Sequence, residues 1–377
     1  MVVTVRLPAN SSLYGSLGLL LALIWSTFRT GPQTLYYLNS DAQRALNWPD
    51  PELPSAEGYT LTSPIDAIIF QLTGSTSVTL WVALHCAAIL AAVVLLGLWL
   101  SRHAGIQGAR RHEAWRLLLL SPLFALLLAF IGSYDPFTVI LLAVTMFAWT
   151  SGRRVWLLLA GVGLGVAHAE QGLLAIGALA LGAVWGRQSL PARMRSLPTP
   201  AWALVGIVLG RGSLSLYLQA NEVSSGFGRA DWLLQADVVR SAVLGSFNLL
   251  PVAIMGAFAG LWVLVIQTLV NPGRRTICHQ WAVPLAVLFL WSIITLDHTR
   301  VFILTSLPVV MVLMAVYLSV PRSPDNRSIR LLVEAAAWIV VPVRILTSPD
   351  GPTFIMDVNV LDHWVMWISH LTNGGWI

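Results

Sequence analysis

The chain has 377 residues, 56% hydrophobic and 10% charged, with a formal net charge of +5 and a mean hydropathy of +0.75. A soluble globular protein carries about 25% charged residues, and so few polar side chains cannot cover a water-facing surface, so the sequence reads as a polytopic membrane protein. The basic excess gives no argument for nucleic acid: it is all arginine, without a single lysine, in short clusters between hydrophobic runs, which is the pattern of topology signals.

A helix needs about 20 apolar residues to cross a hydrocarbon core about 30 Å thick. The pattern predicts an all-α membrane protein forming one domain, with about 11 spans (10–12) near residues 12–28, 78–100, 115–132, 136–151, 154–168, 170–186, 201–218, 247–270, 281–296, 301–320 and 330–347. Continuously apolar runs such as Ala87 to Leu100 favour helices over a barrel. The first run, Leu13 to Phe28, lacks a small-residue cleavage site and is followed by similar spans, so it reads as a retained helix.

A long loop, about 29–77, follows that run and opens on Tyr36-Tyr37-Leu38-Asn39-Ser40-Asp41-Ala42-Gln43-Arg44. It continues through the rigid segment Trp48-Pro49-Asp50-Pro51-Glu52-Leu53-Pro54. It closes on Ser63-Pro64-Ile65-Asp66, a helix start with Ser63 as N-cap and Pro64 at the first position. That helix is too short to span and is expected to lie along the membrane interface. A second long loop, about 219–246, carries Arg229 and Asp231, read as an ordinary ion pair. Three tight turns contain Gly132-Ser133-Tyr134-Asp135-Pro136, Ala167-His168-Ala169-Glu170-Gln171 and Asp297-His298-Thr299-Arg300. The tail after residue 347 is rich in tryptophan and reads as an interfacial anchor. Gly161-x-Gly163-x-Gly165 lies inside a span with no preceding strand, so it reads as close helix packing and not a nucleotide loop. Cys86 and Cys278 are far apart and read as buried free thiols.

With the N-terminus in the cytoplasm, every cluster of two or more arginines falls inside, as the positive-inside rule expects. Of the acids, only Glu113, Asp325 and Glu334 do not then fall outside. Acids do little to set topology, so their one-sidedness suggests chemistry on the outer face of a plasma membrane. The lysine-free, alanine- and arginine-rich composition hints at a GC-rich bacterial genome.

The candidates each have a plainer reading. Asp41 could be a solvated loop acid, although Tyr37, Asn39 and Arg44 beside it suit a sugar or headgroup. Asp135 precedes Pro136 and could cap the next helix. His168 and Glu170 could form a polar clamp, but two ligands are a weak metal signal, and neither metal nor cofactor is expected. Arg300 runs against the positive-inside trend and is a candidate phosphate binder, or it could pair with Asp297. Arg211 and Arg344, near outer span ends, share that argument.

The layout resembles the GT-C class of integral membrane glycosyltransferases: one span, a long outer loop with an early acid in Asn39-Ser40-Asp41-Ala42, an interfacial helix, then short acidic turns. Gly132-Ser133-Tyr134-Asp135-Pro136-Phe137, the glycine run ending in Ala167-His168, and Asp297-His298-Thr299-Arg300 carry the rest of the likeness. The resemblance implies transfer of mannose, arabinose or a similar sugar from a polyprenyl-phosphate donor to a glycolipid or glycan acceptor. It makes Asp41 the general base and implies that Arg300, Arg211 or Arg344 meets the donor phosphate. Asp135, His168, Glu170, Asp297 and His298 would line the substrate. Paired acids of the Asp-x-Asp kind are missing at Asp41. The competing classes are a transporter or lipid flippase, which needs ionisable residues within spans, and an acyltransferase using His298 or His168.

Overall fold

The computed structural model describes residues 11–30, 35–49, 61–105, 109–185, 200–223, 235–248, 250–270, 275–295, 297–319, 327–339, 344–348, 351–355, 365 and 368–369. Nearly all of them are helical. In chain order the helices are α1 (Ser11–Thr30), α2 (Leu35–Asn47), α3 (Ile65–Leu72), α4 (Val78–His103), α5 (Ala109–Leu119), α6 (Pro122–Ala129), α7 (Asp135–Ser151) and α8 (Arg154–Trp185). There follow α9 (Ala201–Ala220), α10 (Ala236–Asn248), α11 (Leu250–Phe258), α12 (Trp262–Val270), α13 (Arg275–Ile293), α14 (His298–Ser319) and α15 (Arg327–Ile339). A small antiparallel hairpin of β1 (Arg344–Ser348) and β2 (Gly351–Ile355) pairs Arg344 with Ile355.

Large apolar side chains stand exposed on these helices, among them Leu90 and Leu98 on α4, Val205, Val208 and Leu216 on α9, and Leu331 and Ile339 on α15. Water does not tolerate so extensive an apolar exterior, and lipid does. This is a helical membrane protein. Among the described residues, four helices are long and apolar enough by length and composition to cross a bilayer: α4, α9, α14 and α8, the last of them broken at His168. The pair α5–α6, bent by 44° where Ser121-Pro122 interrupts the ladder, makes a fifth if counted as one span. The expected count of about 11 is not confirmed among the described residues. The run 247–270 breaks at the 3₁₀ turn Ala259–Leu261, and the run 330–347 ends at Ile339 before the strand begins. Arg344 therefore opens a strand and does not close a span; its side chain, like that of Tyr37, lies outside the described residues.

α14 is the axis of the bundle. Of its most apolar window, 78% is buried, against 33% for α9 at the periphery. Around it the helices order themselves by contact. α4 and α7 run parallel, with His85 against Phe137 at one end and His103 against Phe147 at the other. α7 ends on Gly152, whose left-handed φ of 70° closes the helix before the antiparallel α8 begins.

α8 is broken at His168 (φ −168°, ψ 87°). In a straight helix residues 164 and 172 would sit about 12 Å apart. Here a Cβ placed on Gly172 would lie 3.1 Å from Leu164 Cβ, so the chain folds back at His168 into two side-by-side arms. The turn expected at Ala167–Gln171 is real.

The glycines of the first arm serve packing. A Cβ on Gly161 would lie 2.2 Å from the Ala203 carbonyl oxygen, and one on Gly165 would lie 2.3 Å from that of Ile207. The complementary notches on α9 are Gly206 and Gly210, where a Cβ would lie 2.2 Å from the Leu158 and Val162 carbonyl oxygens of α8. Backbone-to-backbone approach of this kind is how membrane helices gain van der Waals contact. Gly206→Ala should cost about 2–3 kcal/mol, since a whole helix and not a side chain must yield. A fall in melting temperature measured in lipid nanodiscs would check it, with Gly212→Ala, which meets nothing within 4 Å, as the unaffected control.

Two sequence expectations change at this level. Asp41 belongs to a helix, α2, and not to an irregular loop. Cys86 is exposed on α4 and not buried, while the side chain of Cys278 lies outside the described residues.

Candidate functional site

α2 buries Leu38, Ala42 and Ala45, at most 1% exposed, on one stripe. Gln71 of α3 holds this helix by its C-terminal end: its amide Nε2 donates to the carbonyls of Ala45 at 2.8 Å, Leu46 at 3.2 Å and Trp48 at 2.6 Å. These are carbonyls a helix end leaves without intrahelical partners. So α3 packs against α2; its N-cap position is Pro64, one residue after the expected Ser63.

The anchored α2 sets Asp41 at the rim of the core, with its side chain 24% exposed. Oδ1 faces Arg44 Nη1 at 3.2 Å. Oδ2 faces the turn before α7, where a Cβ on Gly132 would lie 3.5 Å from it. That turn needs glycine twice over: its φ is +96°, and a Cβ would press within 2.7 Å of Leu38 Cδ2.

Three residues on stands Asp135, with no exposed surface. It does not cap its helix. Its carboxylate takes the fork of Arg300, Nε to Oδ2 at 2.7 Å and Nη2 to Oδ1 at 3.0 Å, across 165 positions of sequence. Arg300 also lies 3.5 Å from Asp297 through Nη1, and its Cζ sits 4.3 Å from the Phe130 ring centre and 5.3 Å from that of Tyr134. A bidentate, ring-flanked guanidinium is geometrically fixed.

Tyr134 carries the cluster on to the fold-back of α8, its ring meeting the His168 ring edge-on at 5.1 Å. His168 Nδ1 is 3.2 Å from Glu170 Oε2 and 3.4 Å from the Gln171 amide nitrogen. One atom cannot donate to the first and accept from the second, and the shorter, charge-assisted contact takes the proton. At the start of α14, His298 and Thr299 are 1% and 2% exposed, and neither side chain has a hydrogen-bond partner among the described residues.

Asp41, Arg44, Asp135, His168, Glu170, Asp297 and Arg300 thus gather at one pole, joined through Gly132–Tyr134. Asn39 lies on the same helix as Asp41, half-buried. Arg211 is not joined to them by any described contact: it stands mid-helix in α9 and donates to the Thr62 carbonyl at 2.9 Å.

Beneath the pole lie residues the sequence reading did not single out. Trp81 and His85, at 1% and 0% exposure, are one turn apart on α4; His85 Nδ1 donates to the Trp81 carbonyl at 2.9 Å, and its Nε2 is 3.9 Å from Asp66. A histidine four residues after a tryptophan in an otherwise apolar span was the available signal. Acids and arginines also pair far from this pole, Arg116 with Glu334 at 2.7 Å and Arg330 with Glu113 at 3.4 Å. Among the described residues, no three His, Cys, Asp or Glu side chains come together as a metal site. No known protein family, curated protein or solved structure matches the chain.

Proposed function

We propose that this protein is an inverting glycosyltransferase of the membrane, moving a sugar from a polyprenyl-phosphate donor to a hydroxyl of a glycolipid or glycan. One observation carries the reading: a part-exposed carboxylate, Asp41, on the helix after the first hydrophobic segment, set against a turn whose own acid is locked to a distant arginine. Acids and cations from four segments, α2, α7, α8 and the start of α14, meet at one pole.

In the proposed reaction the acceptor oxygen attacks the anomeric carbon and its proton passes to Asp41. The bond from that carbon to the phosphate oxygen breaks, and its electron pair leaves with the lipid phosphate. A base within hydrogen-bond reach contributes about 10²–10⁴-fold. Arg300 is held by Asp135 and turns Nη1 toward Asp297, so that edge and Arg44, which pairs with Asp41, are the cationic groups at this pole that would meet a departing phosphate. Arg211 is instead engaged with the Thr62 carbonyl. Asp297, His298 and the His168–Glu170 pair complete the substrate wall. The direct test is transfer of labelled mannose or arabinose from polyprenyl-phosphate donors by the reconstituted protein; no transfer to any glycan or glycolipid acceptor would overturn the assignment.

The reading places the pole on the outer face of a plasma membrane, with the N-terminus in the cytoplasm, about 11 spans and α3 along the interface. In a Cys86→Ser, Cys278→Ser background, Thr76→Cys, exposed just before α4, should react with an impermeant thiol reagent in intact cells. Ser151→Cys, exposed at the far end of α7, should not. The opposite pattern would invert the protein and put the pole in the cytoplasm.

A further inference from the structure

Trp81 is buried to 1% exposure and held on two sides, by the Phe70 ring at 5.1 Å and the His85 ring at 4.2 Å. Its indole cannot turn away, yet its Nε1–H, fully buried, has no hydrogen-bond acceptor among the described residues. A buried donor in that condition carries its whole desolvation cost. The position of this atom is informative: a Cβ on Gly132 would lie 3.5 Å from Trp81 Nε1 and 3.5 Å from Asp41 Oδ2. Donor and acceptor therefore border one notch beside a residue that its φ of +96° restricts to glycine, and the tip of Leu38, whose Cδ2 is 2.7 Å from the same point, is the flexible group that must swing aside for a ligand oxygen to enter.

We infer that this notch, formed by Trp81 Nε1, Asp41 Oδ2 and Gly132, is a subsite for a hydroxyl group, with Trp81 the residue that holds the acceptor oxygen while Asp41 faces its proton. The chemistry of the two walls selects the ligand. A phosphate or carboxylate oxygen could accept from the indole, but the Asp41 carboxylate repels it. An ammonium could pair with Asp41 but has nothing to accept the indole proton. A hydroxyl does both at once, accepting at its lone pair and donating through its hydrogen. Two sources share that chemistry, a carbohydrate hydroxyl and water, and we assign the carbohydrate. The inference rests on the transferase reading for the identity of the alcohol. It adds that Trp81 governs acceptor binding more than turnover, which makes it a binding residue and not a second base.

The experiment uses the full chain in lipid nanodiscs with ¹⁵N-indole tryptophan, the Trp81 signal being identified by its loss in Trp81→Phe. Octyl mannoside and octyl arabinoside are the probes. A saturable downfield shift of the Trp81 indole proton with either glycoside, absent with inorganic phosphate, is expected. A signal already downfield and unmoved by both glycosides assigns the notch to water and overturns the carbohydrate source. A shift with phosphate overturns the hydroxyl chemistry. In transfer assays Trp81→Phe, which keeps the ring and removes the donor, should raise KM for the acceptor about tenfold and change kcat by less than about threefold. An unchanged KM with Asp41→Asn inactive would fail this inference alone. Glycoside-induced shifts in a protein that transfers no sugar would fail the transferase reading alone.

Discussion

Asp41→Asn should retain its fold and lose about two to four decades of transfer rate, the scale of a missing general base. The two effects separate cleanly because the ion pair that the substitution weakens is a part-exposed one. Asp41 and Arg44 are an i,i+3 pair at 3.2 Å with both side chains 24% exposed, a type worth about 0.3–0.5 kcal/mol. Asparagine keeps the shape and an acceptor oxygen toward Arg44 but has a negligible capacity to take a proton. The expected record is an unchanged melting temperature, unchanged donor binding and a collapsed kcat. Asp41→Glu should recover little, because one added methylene moves the carboxylate relative to the acceptor oxygen, and here it would also push toward the tight Leu38–Gly132 contact. Near-wild-type transfer by Asp41→Asn would move the base elsewhere, with Asp297 next to test, since Asp135 is fully engaged by Arg300.

The membrane character and the acidic turns were legible in the sequence because hydropathy and turn chemistry are local. The fold-back at His168 followed from two short apolar runs separated by His-Ala-Glu, and the glycine-lined contact of α8 with α9 from small residues spaced along a span. What escaped was set by tertiary structure. Asp135 looked like a helix cap because local sequence offers only the neighbouring amides; its true partner is 165 positions away. Arg211 and Arg344 looked like candidates equal to Arg300, because charge near a predicted span end ranks all three alike. Packing then placed Arg300 on Asp135, Arg211 on the Thr62 carbonyl and Arg344 in a strand. The span count of about 11 is not confirmed among the described residues, where short apolar segments such as α11 and α12 match a crossing in composition but not in length. Trp81 was hidden for the opposite reason: a tryptophan in a span is ordinary until its N–H is seen to lack an acceptor.

Separating Asp135 from Arg300 should be the most destabilising change at this pole. Asp135 has no exposed surface, and the Arg300 side chain is 17% exposed, so removing either partner strands the other's charge in a poorly solvated site. The cost of breaking a buried pair is about 3–5 kcal/mol, several times that of the surface Asp41–Arg44 pair. Arg300→Met leaves a buried carboxylate with no cation and should suffer most. Asp135→Asn is milder, because Asp297 at 3.5 Å and the Phe130 and Tyr134 ring faces still stabilise the guanidinium. Arg300→Lys keeps the charge but gives up the two-pronged geometry, so it should fall between wild type and Arg300→Met. Thermal melting of the reconstituted variants would order them. The double variant Asp135→Leu with Arg300→Met removes both charges together, and replacing a buried ion pair by apolar groups is often neutral. It should therefore melt well above either single loss. Transfer activity then decides what the pair is for. A stable but inactive double variant would assign Arg300 a part in handling the phosphate. A stable and active one would make the pair a structural clasp between α7 and α14 and leave Arg44 to meet the leaving group.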